Sequence, residues 1–271
     1  MNIKFWGVRG SIACPSPNHL KYGGNTTCIE VNTDSGTIIW DAGTGFRHLG
    51  KELNRRNLRK AYLLMTHTHW DHINGFPFFK LAYDPSFSLH IMAGHLHDKG
   101  GIEGILASQM STPMFPVPLE AMTANITYED FLTKEFTLYG DVGVRTASLN
   151  HPNGATGYRI DHGGKSACLI TDTEHIPGKP DQNILELIEG ADLVIYDCTF
   201  TDEEFPDKIS WGHSTWTEGA RLCQAAKVKQ FIIFHHDPDH EDPFMDKLAA
   251  EAEETLPGTI VAREGMDITL D

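Results

Sequence analysis

The sequence has few basic residues, few cysteines and no long hydrophobic run, and each deficit excludes a class of protein. Among its 271 residues, 22 lysines and arginines face 37 aspartates and glutamates, which gives a formal net charge of −15. A phosphate backbone is bound through clustered lysine and arginine, so we expect long nucleic acid to be an unfavourable ligand. No stretch reaches the length of about 20 apolar residues that a membrane-spanning helix needs, and the amino terminus resembles no secretory signal. These features predict a soluble, cytoplasmic protein with no membrane partner.

The cysteines are not arranged for disulfides or for a structural metal site. All five are scattered along the chain, and none occurs in a CxxC pair. We therefore interpret them as reduced, small core residues. In contrast, 40% of the residues are hydrophobic, which is enough to bury a full core. We expect a single domain over residues 1–271, and a homo-oligomer is compatible with the sequence.

Short β-branched or apolar runs alternate with helical patterns, which is typical of a layered α/β sandwich with sheets inside and helices outside. Helices are predicted at residues 45–57, 98–109, 181–189, 215–226 and 242–255. Strands are predicted at NIKFWGV, TCIEVNT, TIIWD, AYLLMT, SLHIMA, VGVRTASLN, TGYRIDH, SACLITD, DLVIYD and KQFIIFHH.

The segment 109–122, QMSTPMFPVPLEAM, contains three prolines and cannot stay regular for long. It is neither Gly/Ser-rich nor charged, which favours a folded-over, lid-like loop over an interdomain linker. Its Met110, Met114 and Phe115 would offer an apolar wall to a bound ligand.

The densest group of metal-binding side chains is HTHWDH, residues 67–72, which follows the apolar run AYLLM. Crowded imidazoles repel one another when protonated, so a bound cation explains the motif better than a polar surface loop. At a strand end, successive side chains project in different directions. His67 and His69 can therefore serve one ion while Asp71 and His72 serve a second.

Two ions need further ligands, and a carboxylate is suited to bridge them. Three candidates each follow a predicted strand. They are His151 after VRTASLN, Asp172 after SACLIT and His235 after KQFIIF.

In this order, HTHWDH, LNHPNG, LITDTEH and IIFHHD resemble the metallo-β-lactamase-fold hydrolases. The resemblance implies an α/β, four-layer αββα sandwich and two divalent metal ions. It implies that His67, His69 and His151 bind the first ion, that Asp71, His72 and His235 bind the second, and that Asp172 bridges them. Zinc is the favoured metal, and manganese or iron would suit the same donors. Asp41 in DAGTG resembles a residue that orients a ligand histidine, but an ordinary turn-forming aspartate is an equal alternative.

Within that family, LVIYDCTFTDEE and WGHSTWTEGA resemble the tRNase Z and cyclic-nucleotide phosphodiesterase side. The class B β-lactamases have a cysteine where this chain has Asp172. Asp197 and His213 match an acidic residue and a histidine of the tRNase Z side, although tRNase Z typically has glutamate at the first position. The candidate catalytic residues are Asp71, Asp197 and His213. For His213 the alternative is a neighbour of the helix cap, with Ser214 or Thr215 as the cap.

The resemblance implies hydrolysis of a small phosphodiester by a metal-bridging hydroxide, with cyclic nucleotides as the leading candidates. A protonated His213 oriented by Asp197 would supply the leaving oxygen with a proton. The alternatives are a tRNase Z-like endoribonuclease, an ester or lactone hydrolase on the same metal frame, and a non-catalytic metal-binding sensor.

The remaining histidines are expected to be structural. We predict that His95 and His97 lie in a solvated loop and that His236 and His240 lie at the surface. His236 could exchange roles with its neighbour His235, but His235 matches the family position.

Overall fold

Two seven-stranded sheets form the centre of the structure, a computed structural model that describes residues 1–97 and 99–271. The first sheet contains β1 (Asn2–Gly7), β2 (Cys28–Asn32), β3 (Thr37–Trp40), β4 (Lys60–Met65), β5 (Ser88–Ala93), β6 (Asn125–Asp130) and β14 (Asp267–Thr269). Their order in the sheet is β14-β1-β2-β3-β4-β5-β6. The strands from β3 to β6 run parallel.

The second sheet contains β7 (Glu135–Leu138), β8 (Val142–Leu149), β9 (Ala155–His162), β10 (Lys165–Ile170), β11 (Leu193–Asp197), β12 (Gln230–Phe234) and β13 (Ile260–Val261). Their order is β13-β12-β11-β10-β9-β8-β7. The strands from β10 to β13 run parallel, whereas β9 is antiparallel to both β8 and β10. The strands β8 and β10 therefore end at the same edge of the sheet.

Helices cover the outer faces of both sheets. The helices are α1 (Gly45–Arg55), α2 (Trp70–Ile73), α3 (Gly101–Gln109), α4 (Gln182–Ile188), α5 (Trp216–Ala225) and α6 (Asp242–Thr255). The first sheet is contacted by α1 and α3, and the second by α4, α5 and α6. In α1, Phe46, Leu49 and Leu53 recur at three- and four-residue spacing and form its buried face. The predicted four-layer αββα sandwich is confirmed.

Four layers create three interfaces, and the described residues form three buried apolar clusters, one for each interface. Neighbouring residues of the central strands alternate between them. Leu64 packs between the sheets, whereas Leu63 packs under the helices of the first sheet. Ile232 and Ile233 divide in the same way in the second sheet. Because both faces are buried, these strands read as continuous apolar runs.

The cysteines are all free thiols, and all but Cys14, which is half-buried, are buried in the core. Among the described residues, no helix is both long enough and apolar enough to span a lipid bilayer.

Candidate metal centre and active site

The candidate site lies where the parallel strands of both sheets end. Asp41 follows β3, and His67 comes shortly after β4. On the second sheet, Asp172 follows β10 and His235 follows β12. The carboxyl ends of parallel strands are where α/β sheets collect functional side chains. The sandwich therefore brings residues distant in sequence to one edge.

Three histidines form the first group of facing ligand atoms. The ligand atoms of His67, His69 and His151 lie within 4.8 Å of one another. His151 Nε2 and His69 Nδ1 are 3.0 Å apart. The sequence separates these two residues widely, and the structure brings them together.

Two carboxylates and two histidines form the second group: Asp71, His72, Asp172 and His235. His72 Nε2 lies 3.3 Å from Asp71 Oδ2 and 3.2 Å from Asp172 Oδ1. His235 Nε2 lies 3.3 Å from each of the same two oxygens. Asp71 and His72 are placed by α2, which begins directly after His69.

Asp172 lies between the two groups. Its Oδ1 faces His72 and His235, whereas its Oδ2 lies 3.5 Å from His67 Nε2 and 3.7 Å from His151 Nε2. One carboxylate thus presents an oxygen to each group. This is the geometry that a bridging ligand needs.

Unpartnered nitrogens show that these residues suit cations. Nε2 of His67, His72 and His235 is buried and has no hydrogen-bond partner among the described residues. A buried polar atom without a partner costs free energy, which a bound metal ion would offset. Histidine nitrogen and carboxylate oxygen are donors that divalent transition metals accept. The residues therefore fit two divalent ions.

In three of the ligand histidines, the other ring nitrogen is fixed by a neighbour. His72 Nδ1–H donates to Asp41 Oδ2 at 2.8 Å, and His151 Nδ1–H donates to the Gly212 carbonyl at 2.7 Å. His235 Nδ1 lies 2.9 Å from Thr199 Oγ1. Such contacts orient the ring so that Nε2 faces the neighbouring ligand atoms. Asp41 thus lies where the resemblance implied, and it also accepts hydrogen bonds from the Thr66 backbone N–H and hydroxyl.

Three residues of the site have a strained backbone. Asp41, Asp172 and His235 have φ values of 60°, 60° and 62°. This left-handed conformation is costly for residues other than glycine and persists where the surrounding structure enforces it. Each strained residue follows a strand and directs its side chain into the site.

The loop after β1 closes one side of the second group. The Ser11 backbone N–H donates to Asp71 Oδ2 at 2.7 Å. A Cβ on Gly10 would lie 2.4 Å from the His235 ring, so only glycine fits there.

The protonation states reflect burial and crowding. Burial lowers the pKa of His67 well below its usual value, which keeps the ring neutral as a ligand must be. Burial alone would raise the pKa of Asp172, but the surrounding imidazoles, His235 foremost, lower it well below its usual range. His72 differs. Burial would lower its pKa, yet three neighbouring carboxylates, Asp172 first among them, raise it well above normal. A metal ion would compete with that proton.

Asp197 and His213 form a pair beside the second group. His213 Nδ1 lies 3.0 Å from Asp197 Oδ2, and its ring centroid lies 5.0 Å from that of His235. Burial would lower the pKa of His213, but the Asp197 carboxylate outweighs it and raises the pKa to about 9. Bound cations would counter part of this rise. Thr215 caps α5, one of the two caps that the sequence predicted, and His213 lies two residues before it.

Four histidines outside these groups test the structural predictions. His97 is exposed, as expected. The solvated-loop prediction is wrong for His95, whose half-buried ring lies 6.5 Å from that of His67. Burial lowers the pKa of His95 to about 3. The surface prediction is wrong for His236 and His240, which are both buried.

His236 does not replace His235. Its Nε2 lies 2.8 Å from the Ala262 carbonyl, on the side away from the ligand groups. Of these two neighbours, His235 is the one that contributes a ligand atom to the second group.

Sequence reasoning missed the supporting residues. Thr199 and Gly212 contact ligand histidines, yet they are an ordinary threonine and glycine in sequence. Thr199 could have been found from its position two residues after Asp197. The Thr199 hydroxyl donates a hydrogen bond to the Asp197 carboxylate at 2.8 Å.

The segment 109–122 packs onto the helical side of the first sheet. Met110 and Met122 are buried in that core, so Met110 does not offer a wall to a ligand. Gln109 donates to the Ile73 carbonyl at 3.0 Å, which ties the segment to the end of α2. Phe115 packs edge-on against Phe78, with ring centroids 5.7 Å apart.

A family model described as the beta-lactamase superfamily domain matches residues 37–236. The chain belongs to this superfamily. Ribonuclease Z of Haloarcula marismortui is 22% identical over 98% of this chain and 96% of its own length. The chain is therefore a metallo-β-lactamase-fold hydrolase related to tRNase Z.

Solved structures of other proteins share the fold. The metallo-beta-lactamase fold protein YhfI from Bacillus subtilis has a TM-score of 0.74 and 20% identity, with 98% of each chain covered. A diphosphatase from the PhnP family has a TM-score of 0.72 and 19% identity, with 100% of this chain and 98% of that chain covered.

Proposed function

We propose that the protein is a dinuclear metal-dependent phosphodiesterase acting on a small phosphodiester, with cyclic nucleotides as the leading candidates. The observation that carries this proposal is the position of Asp172 between two ligand groups, with the Asp197–His213 pair beside it. A purely structural metal site has no need of such a pair.

The residues divide into ligands and a proton donor. His67, His69 and His151 would hold one ion, Asp71, His72 and His235 the other, and Asp172 would contact both. Two bound divalent ions would acidify a water molecule and neutralise charge on the phosphoryl oxygens. Asp197 engages Nδ1 of His213, which leaves Nε2–H to protonate the leaving oxygen. The buried ligand histidines exclude bulk water from the inner part of the site.

The names of two similar proteins support chemistry at phosphorus. A ribonuclease and a diphosphatase both break a bond to phosphorus, which favours this reaction over ester or lactone hydrolysis. The net charge of −15 favours a small diester, because a polyanion needs many lysine or arginine contacts.

A tRNase Z-like endoribonuclease is the second candidate. It is favoured by the similarity to ribonuclease Z, which covers nearly the whole of both chains. The proposed function and this alternative differ in substrate size.

We also propose that Met114 and Phe115 form the ligand-facing part of a lid in segment 109–122. Met114 is exposed and Phe115 is partly buried, in contrast to the core residues Met110 and Met122.

Direct competition tests the proposal. The metal-loaded protein is given a 2′,3′-cyclic mononucleotide, bis(p-nitrophenyl) phosphate and precursor tRNA at one metal and salt concentration, with Asp172→Ala as the inactive control. We expect a higher kcat/KM for the small diesters than for tRNA. Site-specific trimming of tRNA 3′ ends with negligible cleavage of small diesters would refute the proposal and promote the second candidate.

A further inference from the structure

Trp40 and Trp216 are buried and Trp70 exposes 81% of its surface; Trp211 is also an exposed indole. It exposes 59% of its surface, and the nearby Ile209 exposes 58%. Exposed large apolar side chains that lie together often mark a binding surface.

The backbone fixes Trp211 next to a candidate metal ligand. The following residue, Gly212, accepts a hydrogen bond from His151 Nδ1 and donates its N–H to Glu174 Oε2 at 2.9 Å. A Cβ on Gly212 would lie 2.3 Å from His151 Nδ1. The loop therefore cannot shift without disturbing His151, and Trp211 keeps a constant place at the edge of the site.

Trp211 also lies on the same side as the proposed proton donor. The buried Phe200 ring contacts both side chains, with centroid distances of 6.3 Å to Trp211 and 5.8 Å to His213. A group bound against Trp211 would thus lie close to the oxygen that His213 protonates.

A cation accompanies the indole. Lys208 Nζ lies 4.2 Å from the centroid of the Trp211 ring, and Trp211 remains largely exposed with the ammonium in place. A lysine beside the site is unusual in a chain with an excess of 15 acidic residues. An ammonium and a free aromatic surface together suit a ligand with an aromatic ring and a phosphate.

We propose that Trp211 and Lys208 form a subsite that binds the aromatic part of the substrate, a nucleobase or an aryl ring. The ring stacks on the indole, and the Lys208 ammonium attracts the phosphate. This inference rests on the proposed function, because it names the class of phosphodiester that the same site accepts.

Equilibrium binding tests the subsite without turnover. Affinities of adenosine 5′-monophosphate and ribose 5-phosphate are measured by calorimetry on the metal-loaded protein. These ligands share the phosphate and differ in the base. Since stacking on an aromatic side chain typically changes affinity by about 5- to 150-fold, we expect the nucleotide to bind about tenfold more tightly.

Trp211→Ala should remove that preference and leave the affinity for ribose 5-phosphate unchanged, whereas Trp211→Phe should keep most of it. Lys208→Ala should weaken the binding of both ligands. Leu132→Ala removes a similarly exposed apolar side chain from another surface and should change neither. The inference would be overturned if the unmodified protein bound the two ligands with equal affinity. It would also be overturned if Trp211→Phe lost affinity for both ligands equally.

Turnover separates this inference from the proposed function. The paired substrates are 2′,3′-cyclic AMP and methyl riboside 2,3-cyclic phosphate, which share the ribose and the cyclic phosphate and differ in the base. We expect Trp211→Ala to raise KM only for the first. Cleavage of both with no effect of Trp211→Ala would refute the subsite alone. A base preference in binding without cleavage of any diester would refute the proposed function alone.

Discussion

His213 has one ring nitrogen committed to Asp197, so its contribution to a reaction is a single proton at Nε2. We predict that His213→Ala keeps its metal and its melting temperature but loses about 10²-fold or more in kcat on a diester with an alkoxide leaving group. On bis(p-nitrophenyl) phosphate the loss should be much smaller, because the phenolate needs little protonation. The measurement is the ratio between the loss of kcat on the alkoxide diester and the loss of kcat on bis(p-nitrophenyl) phosphate.

The matched control is His175→Ala. This half-buried histidine contacts the same loop, with Nδ1 2.8 Å from Ser214 Oγ, but it belongs to neither ligand group. The His175→Ala variant should have nearly unchanged kcat on both substrates. If His213→Ala lowered kcat equally on both substrates, His213 would be a binding or structural residue instead.

Asp41 acts through His72 and should affect metal affinity without being a ligand. It is fully buried and receives hydrogen bonds from His72 and Thr66. We predict that Asp41→Asn weakens binding of one ion by about 10- to 100-fold, as loss of such orienting partners typically does. Metal content after dialysis against a series of chelator concentrations measures it.

Asp34→Asn is the control, because Asp34 is an exposed acidic residue on the turn between β2 and β3. Its metal content should match that of the unmodified protein. Retention of both ions by Asp41→Asn under the same dialysis would leave Asp41 as a turn-forming residue only.

Sequence patterns predicted the strands whose own residues carry a strong apolar signal. The interior strands of both sheets are rich in buried apolar residues, on both faces in β11 and β12 and at alternate residues in β1, and all were predicted from their composition. The four missing strands are β6, β7, β13 and β14, which are the edges of the two sheets. Edge strands carry mixed polar residues and gain their pairing from one neighbour, so their sequences lack a strong signal.

The same distinction explains the site. Ligands were found because histidine and aspartate at strand ends are conspicuous in the sequence. The contact of Gly212 with His151 and that of Ser11 with Asp71 use main-chain atoms, which any residue provides. His95 was misjudged because the pairing of β5 beside β4, which brings it close to His67, is a long-range event.

Glu204 joins two of the loops that frame the site. Its carboxylate accepts from the Thr201 backbone N–H at 2.8 Å and lies 2.9 Å from His240 Nε2. Burial would raise its pKa, but the hydrogen bonds from His240 and Thr201 lower it below the usual value. The stabilisation is therefore present above the unfolded-state pKa of about 4.3 and is lost as the pH falls through the lower native value.

We predict that Glu204→Gln lowers the free energy of unfolding by about 1 kcal/mol at pH 7, after allowance for its partial exposure. The difference should shrink between pH 5 and pH 3, as measured by urea unfolding. Glu203→Gln, at the exposed neighbouring position, is the control and should show no such trend. A difference independent of pH would mean that shape, rather than charge, sets the role of Glu204.

At the scale of the whole molecule, the candidate metal centre joins the two halves of the sandwich. His67, His69, Asp71 and His72 follow a strand of the first sheet, whereas His151, Asp172 and His235 follow strands of the second. The buried cluster between the sheets is apolar. Cations bound across the edge would therefore take ligands from both sheets and link the two halves.

Removal of the metal should consequently weaken the whole fold. An ion present at about 1,000 times its dissociation constant stabilises the native state by about 4 kcal/mol, which corresponds to a melting temperature higher by about 10 °C in a protein of this size. We predict that chelation lowers the melting temperature by this order and that re-addition of metal restores it. Asp172→Ala removes the carboxylate that faces both groups, so its melting temperature should already be low and should respond little to chelator. If the unmodified protein lost its metal by elemental analysis and kept its melting temperature, the two sheets would be held together by their apolar interface alone, and the centre would serve the reaction without supporting the fold.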